Sequence, residues 1–216
     1  MKNAPAILSL LAPIALATLA LATPASAAIT SVSGQALQIA PPTITASGAL
    51  VGPPAYCWNE QSGVSSTALL ANTIGNGSWT GGSFGPVVVG GVFDSHMIHF
   101  DAASGVAVAQ GSVTFSGNII AVIYENNLLD ISDGPLGAFG TSYLTGNPLR
   151  SHSTNLGASS YTVTGNTLNF VLWANAFAGH PNYIAELRVL TQSIPGPGAA
   201  ALLGLAGIAG RRNRRR

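Results

Sequence analysis

The segment between residues 29 and 193 is divided into short runs of β-branched and aromatic residues, and this division constrains the fold most. Gly, Asn, Ser and Pro separate the runs at intervals of about ten residues, a spacing typical of all-β domains. Helical periodicity is nearly absent, and the 26 glycines and 13 prolines argue against long helices or a coiled coil. We therefore predict an all-β fold, with residues 28–193 forming a single antiparallel, jelly-roll-like β-sandwich.

Three stretches carry the strand prediction in detail. Residues 161–164 and 167–173 flank the pair Gly165-Asn166, which can adopt the positive φ values of a tight hairpin turn. In the second of these strands, alternate apolar residues share one face: Leu168, Phe170 and Leu172. Residues 183–189 also alternate, so we expect this last strand to bury one face and to leave Glu186 beside Arg188 on a solvated face. Residues 118–124 are apolar on both faces, as expected of a central strand.

The body of the chain is acidic and has one cysteine. Between the two ends, the chain has two basic residues, Arg150 and Arg188, and seven acidic residues, which gives a net charge of −5. This acidic body argues against nucleic acid as a partner, since phosphate neutralisation needs clustered Lys and Arg. Cys57 is the only cysteine, so no internal disulfide can form. Its neighbours Tyr56 and Trp58 are typical of a core, which favours a buried thiol over an intermolecular bridge.

The N-terminal segment, residues 1–27, has the pattern of a secretory signal peptide. Lys2 precedes an apolar stretch over residues 6–22, and Ala25-Ser26-Ala27 is a small-x-small cleavage site. Cleavage after Ala27 implies the Sec export machinery and signal peptidase as partners. A membrane anchor is the alternative, but the apolar run lacks a stop-transfer flank.

The C-terminal segment, residues 194–216, has three parts. Pro195-Gly196-Pro197 is followed by an apolar run over residues 198–210. As a helix of about 1.5 Å per residue, this run reaches only about 20 Å, short of a hydrocarbon core of about 30 Å. The chain ends in a terminal arginine cluster, which would stay on the cytoplasmic side of a membrane and consists of Arg211, Arg212, Arg214, Arg215 and Arg216.

These three parts, in this order, resemble the PEP-CTERM sorting tail of exported bacterial proteins. The resemblance implies that a membrane-embedded exosortase processes the tail, and that the protein accompanies exopolysaccharide and biofilm matrix production in Gram-negative bacteria. It also implies a location at the cell envelope, outer surface or extracellular matrix, with the C-terminal helix as a transient or retained inner-membrane anchor. Gly196 departs from the family pattern, which usually has glutamate between the prolines.

The body is similar to a group of uncharacterised PEP-CTERM proteins. They share a strand that ends in His99-Phe100-Asp101, a strand Gly111-Ser112-Val113-Thr114-Phe115 and the sequence Asp130-Ile131-Ser132-Asp133. Asn59-Glu60-Gln61 belongs to the same pattern, and so does the apolar strand over residues 119–124. This resemblance implies no activity.

A catalytic serine is one candidate chemistry. Residues 81–85 fit the G-x-S-x-G string around Ser83, and Asp130 with His152 or His180 would complete a triad order. A nucleophile elbow needs a helix after the serine, whereas Pro86 and the valines at 87–89 predict a strand. We therefore interpret this stretch as a glycine-rich loop. Paired carboxylates for glycoside hydrolysis would have to come from Glu60, Glu125 and Glu186, whose separations a sequence does not give.

Four polar residues of one predicted strand invite a metal site. Strand alternation places Asp94 and His96 on one face, and His99 and Asp101 on the other, so they cannot all converge on one ion. We expect cross-strand hydrogen bonds on a partly solvated face.

The densest group of oxygen ligands lies around Asp130 and Asp133, followed by Gly134 and Pro135. An acidic turn of this kind suits calcium, although EF-hand spacing is absent, and capping of a turn or helix is the alternative. Trp173 is the candidate aromatic for stacking on a sugar ring.

These observations favour a secreted, non-catalytic surface or matrix protein, with no cofactor apart from calcium at the acidic turn. A calcium-assisted carbohydrate-binding module is the second interpretation, and an extracellular hydrolase is the third. The same fold hosts all three roles, so the fold does not separate them.

Overall fold

The computed structural model describes residues 27–80, 85–150, 159–176 and 182–194. Within these ranges the chain forms thirteen strands and one short helix, which confirms the all-β prediction. The strands are β1 (Ile29–Gly34), β2 (Ala36–Gln38), β3 (Val51–Gly52), β4 (Ala55–Asn59), β5 (Val64–Ala71), β6 (Thr73–Ile74), β7 (Gly77–Thr80), β8 (Val87–Ala102), β9 (Gly105–Phe115), β10 (Ile119–Ile123), β11 (Ser160–Thr164), β12 (Thr167–Ala176) and β13 (Ala185–Gln192). The helix is α1 (Asn126–Leu136). The predicted signal peptide up to residue 26, including Ala25, and the predicted tail from Pro195 onward lie outside the described residues.

The described strands form two sheets. The smaller sheet has the order β1-β9-β12-β11-β7, and the larger sheet has the order β2-β4-β8-β13-β10-β6, with β3 and β5 also paired to β8. Neighbours are antiparallel except for two short parallel pairs, β2 with β4 and β3 with β8. The long strand β8 is therefore the centre of the larger sheet.

The main hydrophobic core joins the two sheets. It contains Phe100 and Leu187 from the larger sheet, and Val113, Phe170 and Leu172 from the smaller one. The predicted shared face of β12 is confirmed, because Leu168, Phe170 and Leu172 are all buried in this core.

A second core covers the opposite face of the larger sheet. Trp58, Met97 and Leu190 of this sheet pack with Leu129 and Leu136 of α1. Strand β13 consequently lies between two cores, and all of its residues except the last are buried. The prediction that this strand buries only one face is wrong, because α1 covers the face that the alternation assigned to solvent.

The predicted hairpin is confirmed. Strands β11 and β12 pair in register, with Thr164 opposite Thr167 across the turn. Gly165 has a φ of +62°, in the left-handed region that favours glycine. Asn166 keeps a negative φ, so only the first turn residue uses this region.

The helix α1 occupies the stretch that the sequence predicts as an acidic turn. Its N-cap residue Glu125 makes no side-chain capping bond, and Pro135 lies inside its last turn. One side of the helix is nevertheless buried, through Leu128, Leu129, Ser132 and Leu136. Contacts with the larger sheet therefore stabilise a segment of weak helix propensity.

Within the described ranges, no helix is long and apolar enough to cross a membrane.

Candidate functional site

Two arginines are buried between α1, β13 and the loop over residues 137–150. Arg188 lies on β13, and Arg150 lies at the end of the loop, where it forms a bridge to Ile184. Both side chains are 0% exposed. Arginine stays charged in proteins, so each guanidinium needs carboxylate and hydrogen-bond partners in this position.

Arg188 binds Glu60 with both ends of its guanidinium fork. Its Nε donates to Oε2 at 2.8 Å, and its Nη2 donates to Oε1 at 2.9 Å. The remaining donors contact α1: Nη2 reaches Asp133 Oδ1 at 3.0 Å, and Nη1 reaches Ser132 Oγ at 2.5 Å and the Leu129 carbonyl at 3.2 Å. Arg188 thus connects the sheet to the helix through charge-assisted bonds.

Arg150 makes a second connection of the same kind. Its Nε donates to Glu186 Oε2 at 2.5 Å, and its Nη1 and Nη2 donate to Asp133 at 2.6 and 2.8 Å. Nη1 also contacts Asp130 Oδ1 at 3.0 Å. Asp133 therefore accepts hydrogen bonds from both arginines. We call Arg150 and Arg188, with Glu60, Asp130, Asp133 and Glu186, the buried ion network.

Tyr143 contacts the network from the loop over residues 137–150. Its hydroxyl donates to Glu60 Oε1 at 2.5 Å and accepts the Ala138 N–H at 2.8 Å. The two guanidinium carbons lie over its ring, 5.3 Å from the centroid for Arg188 and 5.8 Å for Arg150. These distances allow cation–π attraction, so Tyr143 fixes the loop against both cations.

The pKa of Glu186 is set by its partners in the network. Burial by itself would raise the pKa of this carboxyl, but Arg150 and the hydrogen bond from His99 outweigh that effect and lower its pKa to about 2. Glu186 is therefore an anion at neutral pH, although it is 0% exposed. The prediction that a solvated face explains Glu186 is wrong, because the residue is paired inside the second core.

Asp130 and Asp133 lie on α1, and the structure brings them together as the sequence suggested. Their oxygens point at Arg150 and at the turn after Tyr143, where Gly146 N–H donates to Asp130 at 2.9 Å and the Thr145 hydroxyl donates to Asp133 at 2.7 Å. Across the described residues, no group of three or more His, Cys, Asp or Glu is arranged to hold a metal ion. Asp130 and Asp133 both bind Arg150, and Asp133 also binds Arg188.

His99 extends the network into the second core. Its Nδ1 lies 2.7 Å from Glu186 Oε1, and its ring centroid is 6.2 Å from that of Trp58. His96 faces the opposite way, with Nδ1 2.8 Å from Asn59 Oδ1 and its ring next to Phe115 in the main core. The predicted alternation is therefore confirmed for the two histidines.

The predicted solvation of this strand is wrong, because both faces of β8 are covered here. Four polar side chains are at most 1% exposed, namely Asp94, His96, His99 and Asp101. They hydrogen bond as expected, but to neighbouring backbone and core groups rather than on a partly solvated surface.

The motif Asn59-Glu60-Gln61 lies at joints between elements. Asn59 accepts hydrogen bonds from His96 and from the Ile29 N–H, Glu60 binds Arg188, and the Gln61 side chain donates to the Gly137 carbonyl at 2.8 Å. Each of these three residues therefore connects two parts of the fold.

Cys57 is a buried free thiol, as predicted. Burial raises its pKa to about 12, so the thiolate is not populated at neutral pH. The elbow candidate Ser83 and its partner candidates His152 and His180 lie outside the described residues.

The outer face of the smaller sheet carries Trp173. This half-buried residue lies within β12, directly opposite Val108 of β9, and its backbone N–H donates to the Ser159 hydroxyl. The same face has uncharged polar side chains at alternating positions of β12 and of the other strands of this sheet: Ser78, Ser160, Thr162, Asn169, Gln110, Ser112 and Ser33. On the described strands this face carries hydroxyl and amide groups and no charged side chain.

Arg150 and Arg188 are the functional-site residues that sequence reasoning missed. They are the only Arg or Lys between residues 3 and 210, in a segment with seven acids. Because seven acidic residues share two cations, each arginine is expected to bind several carboxylates. This imbalance is the sequence signal from which the buried ion network could have been predicted. The alternation of β13 concealed it.

Comparison of the chain with protein family models, curated proteins and solved structures finds no match.

Proposed function

We propose that this protein is exported and sorted through its C-terminal tail, and that it acts as a non-catalytic component of the cell surface or extracellular matrix. The observation that carries the proposal is the order of three parts in residues 194–216: Pro195 and Pro197, an apolar run and the terminal arginine cluster. Their resemblance to a PEP-CTERM tail makes an exosortase-type membrane protease the partner and exopolysaccharide production the setting. The N-terminal residues 1–27 supply the export signal.

The body supports a structural role. The acidic and cationic groups of the buried ion network bind one another between two layers, and Cys57 is protonated and buried. We interpret the two sheets with their shared core as a jelly-roll-like β-sandwich that is stabilised without a disulfide. Such a domain suits an oxidising extracellular setting.

Processing of the tail is tested by intact mass. The full chain is expressed in an exosortase-carrying Gram-negative host and in a matched host without the exosortase. We expect the protein from the first host to lack residues 1–27 and the terminal arginine cluster, and the protein from the second to keep Arg216. A chain that ends at Arg216 in both hosts would contradict sorting by cleavage.

Substitution of Gly196 provides a second test of tail processing. Because the related tails usually have glutamate at this position, a Gly196→Glu variant is expected to be processed at least as completely as the natural sequence. Replacing Pro195 and Pro197 by alanine is expected to abolish processing. Unchanged processing in the double proline variant would remove the tail from the proposal.

The outer face of the smaller sheet favours a second function, carbohydrate binding. Hydroxyl and amide side chains exchange hydrogen bonds with sugars, and an aromatic ring such as that of Trp173 stacks on their apolar faces. The surface is also uncharged, which suits a neutral polysaccharide. We propose this site without calcium, since Arg150 already occupies Asp130 and Asp133.

Calorimetry with exopolysaccharide from the source organism tests this second function. We expect saturable binding by the exported protein, unchanged by chelator, and about tenfold weaker binding by Trp173→Ala, a change of about 1.4 kcal/mol. Phe139→Ala is the matched control, because Phe139 is 91% exposed but lies after α1, away from the sheet face. Equal losses in both variants would contradict a site at Trp173.

A further inference from the structure

Asp94 is a carboxylate inside the protein without a cationic partner among the described residues. It lies on β8, is 1% exposed and accepts hydrogen bonds from the backbone N–H groups of Ala27 and Gly63 and from the Ser193 hydroxyl. The Gly63 contact is 2.6 Å and the Ser193 contact is 2.8 Å. All three donors are neutral. A buried anion of this kind is costly unless a positive charge accompanies it.

The titratable group nearest along the same face of β8 does not supply that charge. Burial lowers the pKa of His96 to about 4, although Asp94 opposes this shift. The imidazole is therefore neutral at physiological pH. The two described arginines bind other carboxylates, on the opposite side of the larger sheet.

The donor to Asp94 Oδ2 is located at the predicted cleavage site. Ala27 is 0% exposed, and its Cβ lies against Gly117. Its two successors are held in the same way, since the Ala28 N–H donates to Ser116 Oγ at 2.9 Å and the Ile29 N–H donates to Asn59 Oδ1 at 3.0 Å. The start of the domain is thus fixed by three consecutive backbone nitrogens, and the first of them contacts the Asp94 carboxylate.

We propose that Asp94 is the binding site for the α-ammonium group that signal-peptide cleavage creates. Water hydrolyses the bond between Ala27 and Ala28, which leaves a carboxylate on the released peptide and an ammonium group on Ala28. This nitrogen starts about 4 Å along the chain from that of Ala27. Freed from its acyl group, it moves to the position next to Asp94 Oδ2 and replaces a neutral donor with a cation. This inference rests on the proposed export and cleavage.

The pairing couples processing to folding. Among the described residues, Asp94 of the uncleaved chain meets only neutral donors, whereas the cleaved chain completes the ion pair. Cleavage therefore stabilises the folded state after translocation, when the protein is outside the cytoplasm.

The chain offers an unusually specific probe of this ammonium group. Lys2 is the only lysine, and it leaves with the signal peptide, so the α-amine is the single primary amine of the processed protein. An amine-reactive acylating reagent at pH 7 therefore labels one position. Intact mass of the exported full chain establishes cleavage first, and an uncleaved chain would count against the proposed export rather than against Asp94 as the site.

For the cleaved protein, we expect labelling in the folded state to be at least tenfold slower than in urea. Asp94→Asn, exported and processed in the same way, is expected to lose this protection. Asp101→Asn is the matched control, because Asp101 is equally buried on β8 but accepts from Gly48 and Asn182 instead. Equal labelling rates in the folded and unfolded natural protein would overturn the proposal, as would full protection in Asp94→Asn.

A second measurement keeps the test decisive if Asp94→Asn does not fold. The labelling rate of the natural protein is followed against pH, which reports the pKa of its α-amine. Pairing with Asp94 is expected to raise this pKa above the value of about 8 found for free chain termini. A value at or below about 8 would overturn the ion pair.

Discussion

Arg188 shows how a charged side chain can be accommodated inside this protein. It makes a bidentate contact with Glu60, and it reaches Asp133 and Ser132 of α1. Each contact would be weak at the surface, but the absence of solvent strengthens all of them together. The same burial makes the loss of any one partner costly, because the remaining charges cannot return to water.

Replacing Arg188 by methionine tests this interpretation. The variant leaves Glu60 and Asp133 without their shared cation, and we expect the free energy of unfolding to fall by about 3–5 kcal/mol. Urea unfolding measures the change. In the double variant Arg188→Met with Glu60→Gln, one uncompensated anion is removed, so the combined loss is expected to be smaller than the sum of the single losses. Additive losses would contradict a coupled network.

His96 makes the stability of the fold dependent on pH. Its pKa is about 4 in the folded protein, mainly because of burial, and about 6.5 in the unfolded chain. Between these values the unfolded chain binds more protons, so stability declines as the pH falls from about 6.5 to about 4, by about 3 kcal/mol. We expect this decline to be reduced in His96→Gln, which can still hydrogen bond with Asn59 and Thr191.

Urea unfolding at pH 7 and pH 5 measures the difference. The comparison is made within each protein, so a general loss of stability in the variant does not affect the result. The same decline in both proteins would show that other groups cause it.

Among the secondary-structure elements, the helix α1 depends for its stability on the residues that it packs against. Leu129 is 0% exposed in the second core, whereas Ile131, two residues further on, is 64% exposed. We expect Leu129→Ala to lower the free energy of unfolding by about 2–5 kcal/mol, and Ile131→Ala to change it by less than about 0.5 kcal/mol. Chemical unfolding of the two variants measures both effects. Similar losses in the two variants would contradict burial of Leu129 as the source of this stability.

The sequence predicted strands better than it predicted α1. The β11–β12 hairpin follows from local chemistry, since Gly165 supplies the turn and alternating apolar residues supply the buried face of β12. In α1, Gly134 and Pro135 oppose a helix, and the segment is helical because Leu129 and Asp133 contact partners remote in the sequence. Such contacts leave only a weak local signal.

Strand β13 shows why the ion network was also hard to predict. Its alternation of Glu186 and Arg188 with apolar residues is the pattern of a half-exposed strand. The covering layer that makes both faces interior comes from α1 and the loop before Arg150. Polar residues buried in pairs and polar residues at the surface have the same periodicity, so only tertiary structure separates them.

The whole molecule combines a body stabilised by internal contacts with two terminal segments that we propose direct its location. The body needs no disulfide, since it has two hydrophobic cores on either side of one sheet and an ion network that fastens α1. The terminal segments hold most of the chain's basic residues, including all five residues of the terminal arginine cluster. We therefore propose that the termini determine where this protein acts.

The distribution of the protein between washed cells, matrix and culture medium tests the proposed sorting by the tail. The natural chain is compared with a variant in which the terminal arginine cluster is replaced by asparagines, in the same exosortase-carrying host. We predict that the natural chain reaches the cell surface or matrix, and that the variant fails to be processed and is absent from the matrix. The same distribution for both chains would contradict sorting by the tail.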